Sequence, residues 1–337
     1  MRGFLLLEIL AISSLVAASA GDRAHTFQLC ASSCDSRECR TSKPPTLPLA
    51  LSLTKWTCLD NCKYNCMHEI TTNSLYSGQP PLQYYGKWPF WRLGGIQEPA
   101  SVLFSLLNLW AHVRGFSKMR ALIPRTHPLR LYYLTWSAAS INTWIWSAIF
   151  HTRDTPTTEK LDYFSAALTI LTALYFTAIR FFQLYSTPSS PKSSAFWVWT
   201  TICVAAYISH VLYLSLRPRF DYQYNIIFNL VIGLSHNLLW LLYSFPISMS
   251  LLNRFPNRPK SYRPPIANRA AVLVILTTAA TALEVFDFPP WQRVIDAHAL
   301  WHLATVPISV AWYRFLIVDA NDISWKEHQR SVGDWRS

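Results

Sequence analysis

His298 and His302 stand one helical turn apart in the run Asp296-Ala-His-Ala-Leu-Trp-His302, inside a stretch apolar enough to span a bilayer, and His151 ends another such stretch. Ionisable side chains at that depth are costly and mark function. Residues at i and i+4 share a helix face, so two imidazoles can point at one place while His151 supplies a third from a neighbouring helix. Three neutral imidazoles around an open fourth position are how a catalytic zinc is held. The bland alternative is that each histidine packs singly against a backbone carbonyl. Ser147, one turn before His151, and Asp162 complete a set suited to ester hydrolysis. Zinc lowers the pKa of a bound water to about 7 and polarises a carbonyl. Asp162 can take the water's proton, and Ser147 can donate to the developing oxyanion or position the water. A serine nucleophile would need a histidine free as base, which ligation by all three forbids. Each has a structural alternative: Ser147 can bond the carbonyl four residues back, and Asp162 can be a first-turn carboxylate favoured by the helix dipole.

The elements that must position these groups are membrane helices. The chain of 337 residues is 51% hydrophobic and only 14% charged, with its apolar residues gathered in runs of about 17 to 24, the length that crosses a bilayer. The fold class is therefore an all-α polytopic membrane protein. Seven spans are expected, at about 98–113, 129–151, 161–183, 195–216, 222–244, 267–287 and 296–317. The net charge of +12 does not call for nucleic acid, because the basic residues fall mostly in short loops between apolar runs, as the positive-inside rule requires.

Arg2, the apolar stretch Phe4 to Val16 and the small-residue site Ala18-Ser-Ala20 read as a secretory signal, with Glu8 leaving an uncleaved anchor open. Six of the seven cysteines follow, at 30, 34, 39, 58, 62 and 66. Behind an export signal they imply three disulfides, with fifteen pairings left open; zinc ligation near His68 is the competing reading. Cys203 reads as a small buried hydrophobe. The expected layout is a signal peptide at 1–20, a lumenal Cys-rich region at 21–97, a seven-helix hydrolase domain at 98–317 and a cytosolic tail at 318–337.

Charge fixes the orientation. With the amino terminus lumenal, the cytosolic connections carry twelve Lys and Arg, from Arg114 to Arg269, against five on the lumenal side, from Arg153 to Arg293. Ser147, His151, Asp162, His298 and His302 then meet at one depth in the lumenal leaflet. Asp154 and Glu159 are expected in a solvated lumenal loop, though Thr155-Pro-Thr-Thr158 resembles a helix start. Glu284, Asp287 or Asp296 can orient a histidine from behind. His210 and His236 are expected to serve packing or inter-helix hydrogen bonds, outside the site.

Ser147-x-x-x-His151, Asp162 and His298-x-x-x-His302 across seven helices resemble the CREST superfamily of membrane hydrolases, which includes alkaline ceramidases and adiponectin receptors. Further motifs narrow the resemblance: the six cysteines, Tyr85-Gly-Lys-Trp-Pro-Phe90, Gln97-Glu-Pro-Ala-Ser-Val102, Phe150-His-Thr-Arg-Asp154, Glu159-Lys-Leu-Asp-Tyr-Phe164 and Asp296 to His302. Over nearly the whole mature chain these are similar to the post-GPI-attachment lipid-remodelling family. The resemblance implies hydrolysis of the sn-2 acyl ester of the GPI lipid on GPI-anchored proteins, giving lyso-GPI. It also implies residence in the endoplasmic reticulum membrane or, alternatively, the Golgi.

Two other classes stay open: a seven-helix receptor or scaffold with a structural zinc site, and a hydrolase of this superfamily acting on ceramide. Against a receptor, the cytosolic side has neither an Asp-Arg-Tyr-type triplet nor an Asn-Pro-x-x-Tyr run. A haem-binding electron carrier is the weaker reading, since His298 and His302 on one helix face cannot ligate opposite sides of one haem.

Overall fold

The computed structural model describes residues 20–42, 45–186, 193–246, 252–256 and 258–325; the expected signal sequence and most of the expected tail lie outside them. The described residues are mostly helical, with no strand among them. They form two compact units.

The first unit comprises residues 1–102, 151–154 and 287–299. Its frame is an antiparallel helical pair, α1 (His25–Cys34) and α2 (Cys58–Tyr76). Three disulfides link Cys30 to Cys66, Cys34 to Cys62 and Cys39 to Cys58. On α2 the cysteines recur every four residues and share a face. Before α2 the last step is five residues, and a π-helical turn at Asp35–Cys39 absorbs the extra one. That turn brings Cys39 onto the bonding face and makes the nested pairing possible. With these sulfurs in disulfides, metal ligation by the cysteines is set aside. Phe27 and Tyr84 complete the small core, and Thr57 and Asp60 cap α2 reciprocally.

The second unit comprises residues 103–150, 155–286 and 300–337. The helices that build it are α3 (Pro99–Leu122), α4 (Arg130–Thr152), α5 (Pro156–Phe181), α6 (Ser194–Leu216), α7 (Tyr222–Ser244), α8 (Ala267–Val285) and α9 (Ala297–Ala320). The first residues of α3 and α9 and the last two of α4 are counted with the first unit. Packing of α5 against α6 and α7, and of α7 against α8, surrounds an aromatic core around Trp240, Tyr243 and Phe315. Gly115 lets α3 approach α9: a Cβ there would lie 2.4 Å from the Tyr313 ring.

Helices α5 to α9 are each long and apolar enough to cross a membrane, and large apolar side chains such as Ile202, Leu212, Val231 and Ile275 remain exposed on them. In water such surface would drive association; against lipid it is at home. The chain is a multi-pass membrane protein. α3 and α4 have spanning length but are more polar: α3 carries Arg114, Lys118 and Arg120, and α4 carries Ser137, Ser140, Asn142, Thr143 and Ser147.

One expectation is corrected here. α5 begins at Pro156, capped by Thr155 and Thr158, so Glu159 lies in its first turn, accepting from the Tyr222 hydroxyl, and not in a loop. Asp154 does lie in the connection before α5, partly exposed and ion-paired to Lys87 at 3.3 Å.

Candidate metal centre

In the first unit, His151 near the end of α4 and His298 at the start of α9 face each other with 3.3 Å between their Nε2 atoms. His151 Nδ1 donates to Glu98 Oε2 at 2.8 Å. Glu98 stands just before Pro99 and is buried. Its other oxygen accepts from the Lys87 ammonium, which also pairs with Asp154. The carboxylate is held in place by the backbone: Gln97 N and Glu98 N donate to the carbonyls of Thr152 and His151, each at 3.0 Å. Burial on its own would lower the pKa of Lys87, but Glu98 and then Asp154 hold it above the ordinary lysine value. The ammonium is fixed and the carboxylate beside it stays ionised. An ionised Glu98 keeps the proton on His151 Nδ1 and leaves the Nε2 lone pair for a ligand, the arrangement seen behind metal-binding histidines.

In the second unit, Ser105 Oγ lies 3.0 Å from Ser147 Oγ and 3.0 Å from His302 Nδ1. Asn108 Nδ2 donates to the His302 carbonyl at 2.7 Å, and the edge of Trp144 meets the His302 ring. Ser105, Asn108, Ser147 and His302 are all buried. Ser147 therefore meets the serine of another helix, and either hydroxyl can be the donor.

α9 carries His302 one turn after His298, and His151, His298 and His302 each offer a ligand atom, all within 4.8 Å of one another. Tetrahedral zinc with bonds of about 2.0–2.1 Å needs ligand nitrogens roughly 3.3–3.4 Å apart, so the 3.3 Å pair fits such an ion. The same distance is long for a direct hydrogen bond.

Asp162 is half-buried in the second turn of α5 and is not a member of this three-histidine group. The carboxylate that orients His151 is Glu98, a residue outside the sequence candidates Glu284, Asp287 and Asp296. Asp287 accepts from Gln83 and from the Trp88 indole, and Asp296 caps α9 through Ala299 N at 2.8 Å. Glu98, Lys87 and Ser105 were not singled out by sequence, although Lys87 and Glu98 sit inside two of the motifs quoted above. A buried carboxylate directly before a helix-opening proline was the available signal. His210, stacked on Phe228 at 4.0 Å, and His236, bonded to Asn237, serve packing as expected.

Residues 48–320 match the Per1-like family. The chain belongs to that family. It is 41% identical over 320 residues to the protein named "Protein PER1 homolog" of Schizosaccharomyces pombe, a match covering 93% of this chain and 91% of that protein. The proteins named "GPI-specific phospholipase A2-like PGAP3" are 38% identical over 320 residues in Mus musculus, covering 94% and 93% of the two chains, and 35% over 312 residues in Homo sapiens, covering 91% of each. No solved structure matches the chain.

Proposed function

We propose that the protein remodels GPI anchors by hydrolysing the sn-2 acyl ester of the GPI lipid on GPI-anchored proteins, as a phospholipase A2-type carboxylic ester hydrolase. The names of its relatives support the substrate. The observation that carries the chemistry is the facing pair His151 and His298 with Glu98 behind it and His302 one turn along.

His151, His298 and His302 would hold zinc, which when bound supplies an acidified water and an electrophile for the ester carbonyl. Glu98 holds the His151 tautomer that makes this possible. With a proton on His302 Nδ1, Ser105 Oγ accepts from it and donates in turn to Ser147 Oγ. Ser147 then has its own proton to give to the oxyanion. Asp162 takes the water's proton and returns it to the glycerol oxygen as the acyl C–O bond breaks. Water's oxygen ends on the fatty acid, and the lyso-GPI protein leaves with the hydroxyl.

Helices α3 to α9 are the seven spans of this reading, following a cleaved signal at 1–20 and a lumenal Cys-rich region at 21–97, with residues 318–337 cytosolic. The site faces the lumenal leaflet of the endoplasmic reticulum membrane, the Golgi membrane being the alternative. An ester just below the headgroups need not leave the bilayer.

The test combines metal analysis with lyso-GPI release by detergent-purified protein in liposomes. About one zinc per chain is expected from the open-site coordination, with loss in His302→Ala. Ser147→Ala and Asp162→Asn are expected to keep metal and fold while losing most release. Full metal content in all three single histidine-to-alanine variants would remove the site, and near-normal release by Asp162→Asn would remove that residue as the base.

A further inference from the structure

A cation-aromatic stack runs through the first unit. The Arg92 guanidinium lies 4.8 Å from the Trp56 ring and 4.0 Å from that of Tyr64. Tyr64 meets His68 at 4.3 Å, and His68 stacks on Trp91 at 4.0 Å. Arg293 lies 4.9 Å from the Trp91 ring. One end is buried at Trp56 and the other emerges at Trp91, which is 46% exposed.

Ring contacts explain where the guanidiniums rest. They do not explain the missing negative charge. Arg153, beside the same Trp56 ring, pairs with Asp60 at 2.7 Å. Arg92 instead donates to Asn61 Oδ1 at 2.7 Å, and Arg293 to His68 Nδ1 at 3.1 Å and Thr72 Oγ1 at 3.0 Å. All three acceptors are neutral. Among the described residues, neither arginine has a carboxylate in ion-pair range, and Arg92 Nη1 is buried without a hydrogen-bond partner. Gln292 and Arg293 are both in the left-handed region, at φ 53 and 57. That conformation is costly for side chains of this size and concentrates at ligand sites.

Planar guanidiniums lacking an internal anion, one of them beside the exposed ring of Trp91, are suited to a phosphate carried on a sugar, since the fork of donors matches phosphate oxygens and the ring covers apolar sugar faces. We propose that Arg92 and Arg293, with Trp91 between them in the stack, bind the phosphate of a glycan headgroup, and that they position the anchor whose ester is cut. The identity of that headgroup as a GPI glycan rests on the function proposed above; the phosphate site itself does not.

The experiment uses the detergent-purified full chain and reads binding by tryptophan fluorescence and calorimetry. The probes are glycerophosphoinositol, which carries the lipid-proximal phosphodiester, a methyl mannoside bearing ethanolamine phosphate, and unphosphorylated inositol. Wild type is expected to bind one phosphorylated probe and not inositol. The probe that binds identifies which phosphate of the headgroup is read. Arg92→Gln and Arg293→Gln should each weaken it tenfold or more, with Arg92→Lys intermediate, while the six cysteines stay protected from alkylation. Arg293 stands on a different segment of the chain from Arg92, so its variant decides the matter if Arg92→Gln does not fold. In lyso-GPI release the same variants should raise KM and leave kcat near wild type. Equal affinity in wild type and both variants, or binding of neither phosphorylated probe, overturns the site. Phosphate-dependent binding without any lyso-GPI release overturns the proposed function and leaves the site standing.

Discussion

Two buried ion pairs, one in each unit, show what separates a structural charge cluster from a reactive one. In the second unit Arg180 gives Nε and Nη2 to the two oxygens of Asp319, at 2.9 and 2.7 Å, and Nη1 to the Arg254 carbonyl at 2.7 Å. The Tyr243 hydroxyl and the Trp325 indole close the rest, on the Asp319 carboxylate and carbonyl. Each guanidinium nitrogen is used and the network ends on itself. In the first unit the chain runs from Lys87 through Glu98 to His151 Nδ1, and the far nitrogen of that ring faces a second imidazole. The first cluster ties helices together. The second ends on the His151 nitrogen that faces His298, where the two imidazoles together can hold a ligand.

The largest effect is expected from breaking the closed cluster. Asp319→Ala leaves Arg180 charged and unpaired with no exposed surface, which by analogy with other buried pairs costs about 3–5 kcal/mol. The thermal midpoint of the purified protein should fall steeply or the variant should fail to accumulate. The double replacement Arg180→Met with Asp319→Leu should recover most of the loss, since removing both charges also removes the desolvation penalty. A single variant as stable as wild type would mean that the cluster does not carry the helix packing assigned to it.

Breaking the open cluster should do something different. Glu98→Gln keeps a hydrogen-bond acceptor for His151 and leaves Lys87 its partner Asp154, so the fold should persist. Metal affinity should fall about 10–100-fold, the usual consequence of losing the carboxylate behind a ligating imidazole. Chelator competition on purified protein reads this without reference to activity. An unchanged affinity would class Glu98 with Asp319 as a structural partner only.

The same contrast explains what the sequence made legible. The long helices could be read because apolar runs of spanning length have few other uses, and Asp221 and Thr155 cap α7 and α5 at positions close to those expected. α3 continues to Leu122, beyond the expected 113, because Arg114, Lys118 and Arg120 extend the helix past its apolar part without breaking it. Histidine spacing revealed the metal candidates, since one helix turn is a local relation. Glu98 was hidden because its meeting with His151 spans 53 positions and depends on backbone bonds between a loop and a helix end. The disulfide pairing was hidden because the decisive element, a π-helical turn at Asp35–Cys39, has no spacing rule that marks it in advance. Ser105 was hidden because the hydroxyl and the imidazole that flank it lie 42 and 197 positions away.

The smallest effect concerns another buried imidazole, which sharpens the comparison because its neighbours are cations. His68 Nε2 donates to the Phe90 carbonyl at 3.0 Å and Nδ1 accepts from Arg293, so the neutral ring is the one the fold holds. Burial lowers its pKa to about 4, with the Phe90 bond opposing and Arg293 and Arg92 adding to the fall. In the unfolded chain a histidine takes its proton near pH 6.5. Between that value and about 4 the unfolded state binds the extra proton, so stability is complete above pH 6.5 and declines as the pH drops through this window. Allowing for solvent screening, the loss at pH 5.5 should be of order 0.5–1 kcal/mol. Denaturation of wild type and His68→Gln between pH 7.5 and 5, within roughly the range where an ordinary histidine titrates, isolates it. The variant should lose part of the acid sensitivity while keeping the neutral form's bond to Phe90. Identical pH profiles would show that the ring is as free to protonate in the fold as in the unfolded chain, and that its arginine neighbours do not act on it.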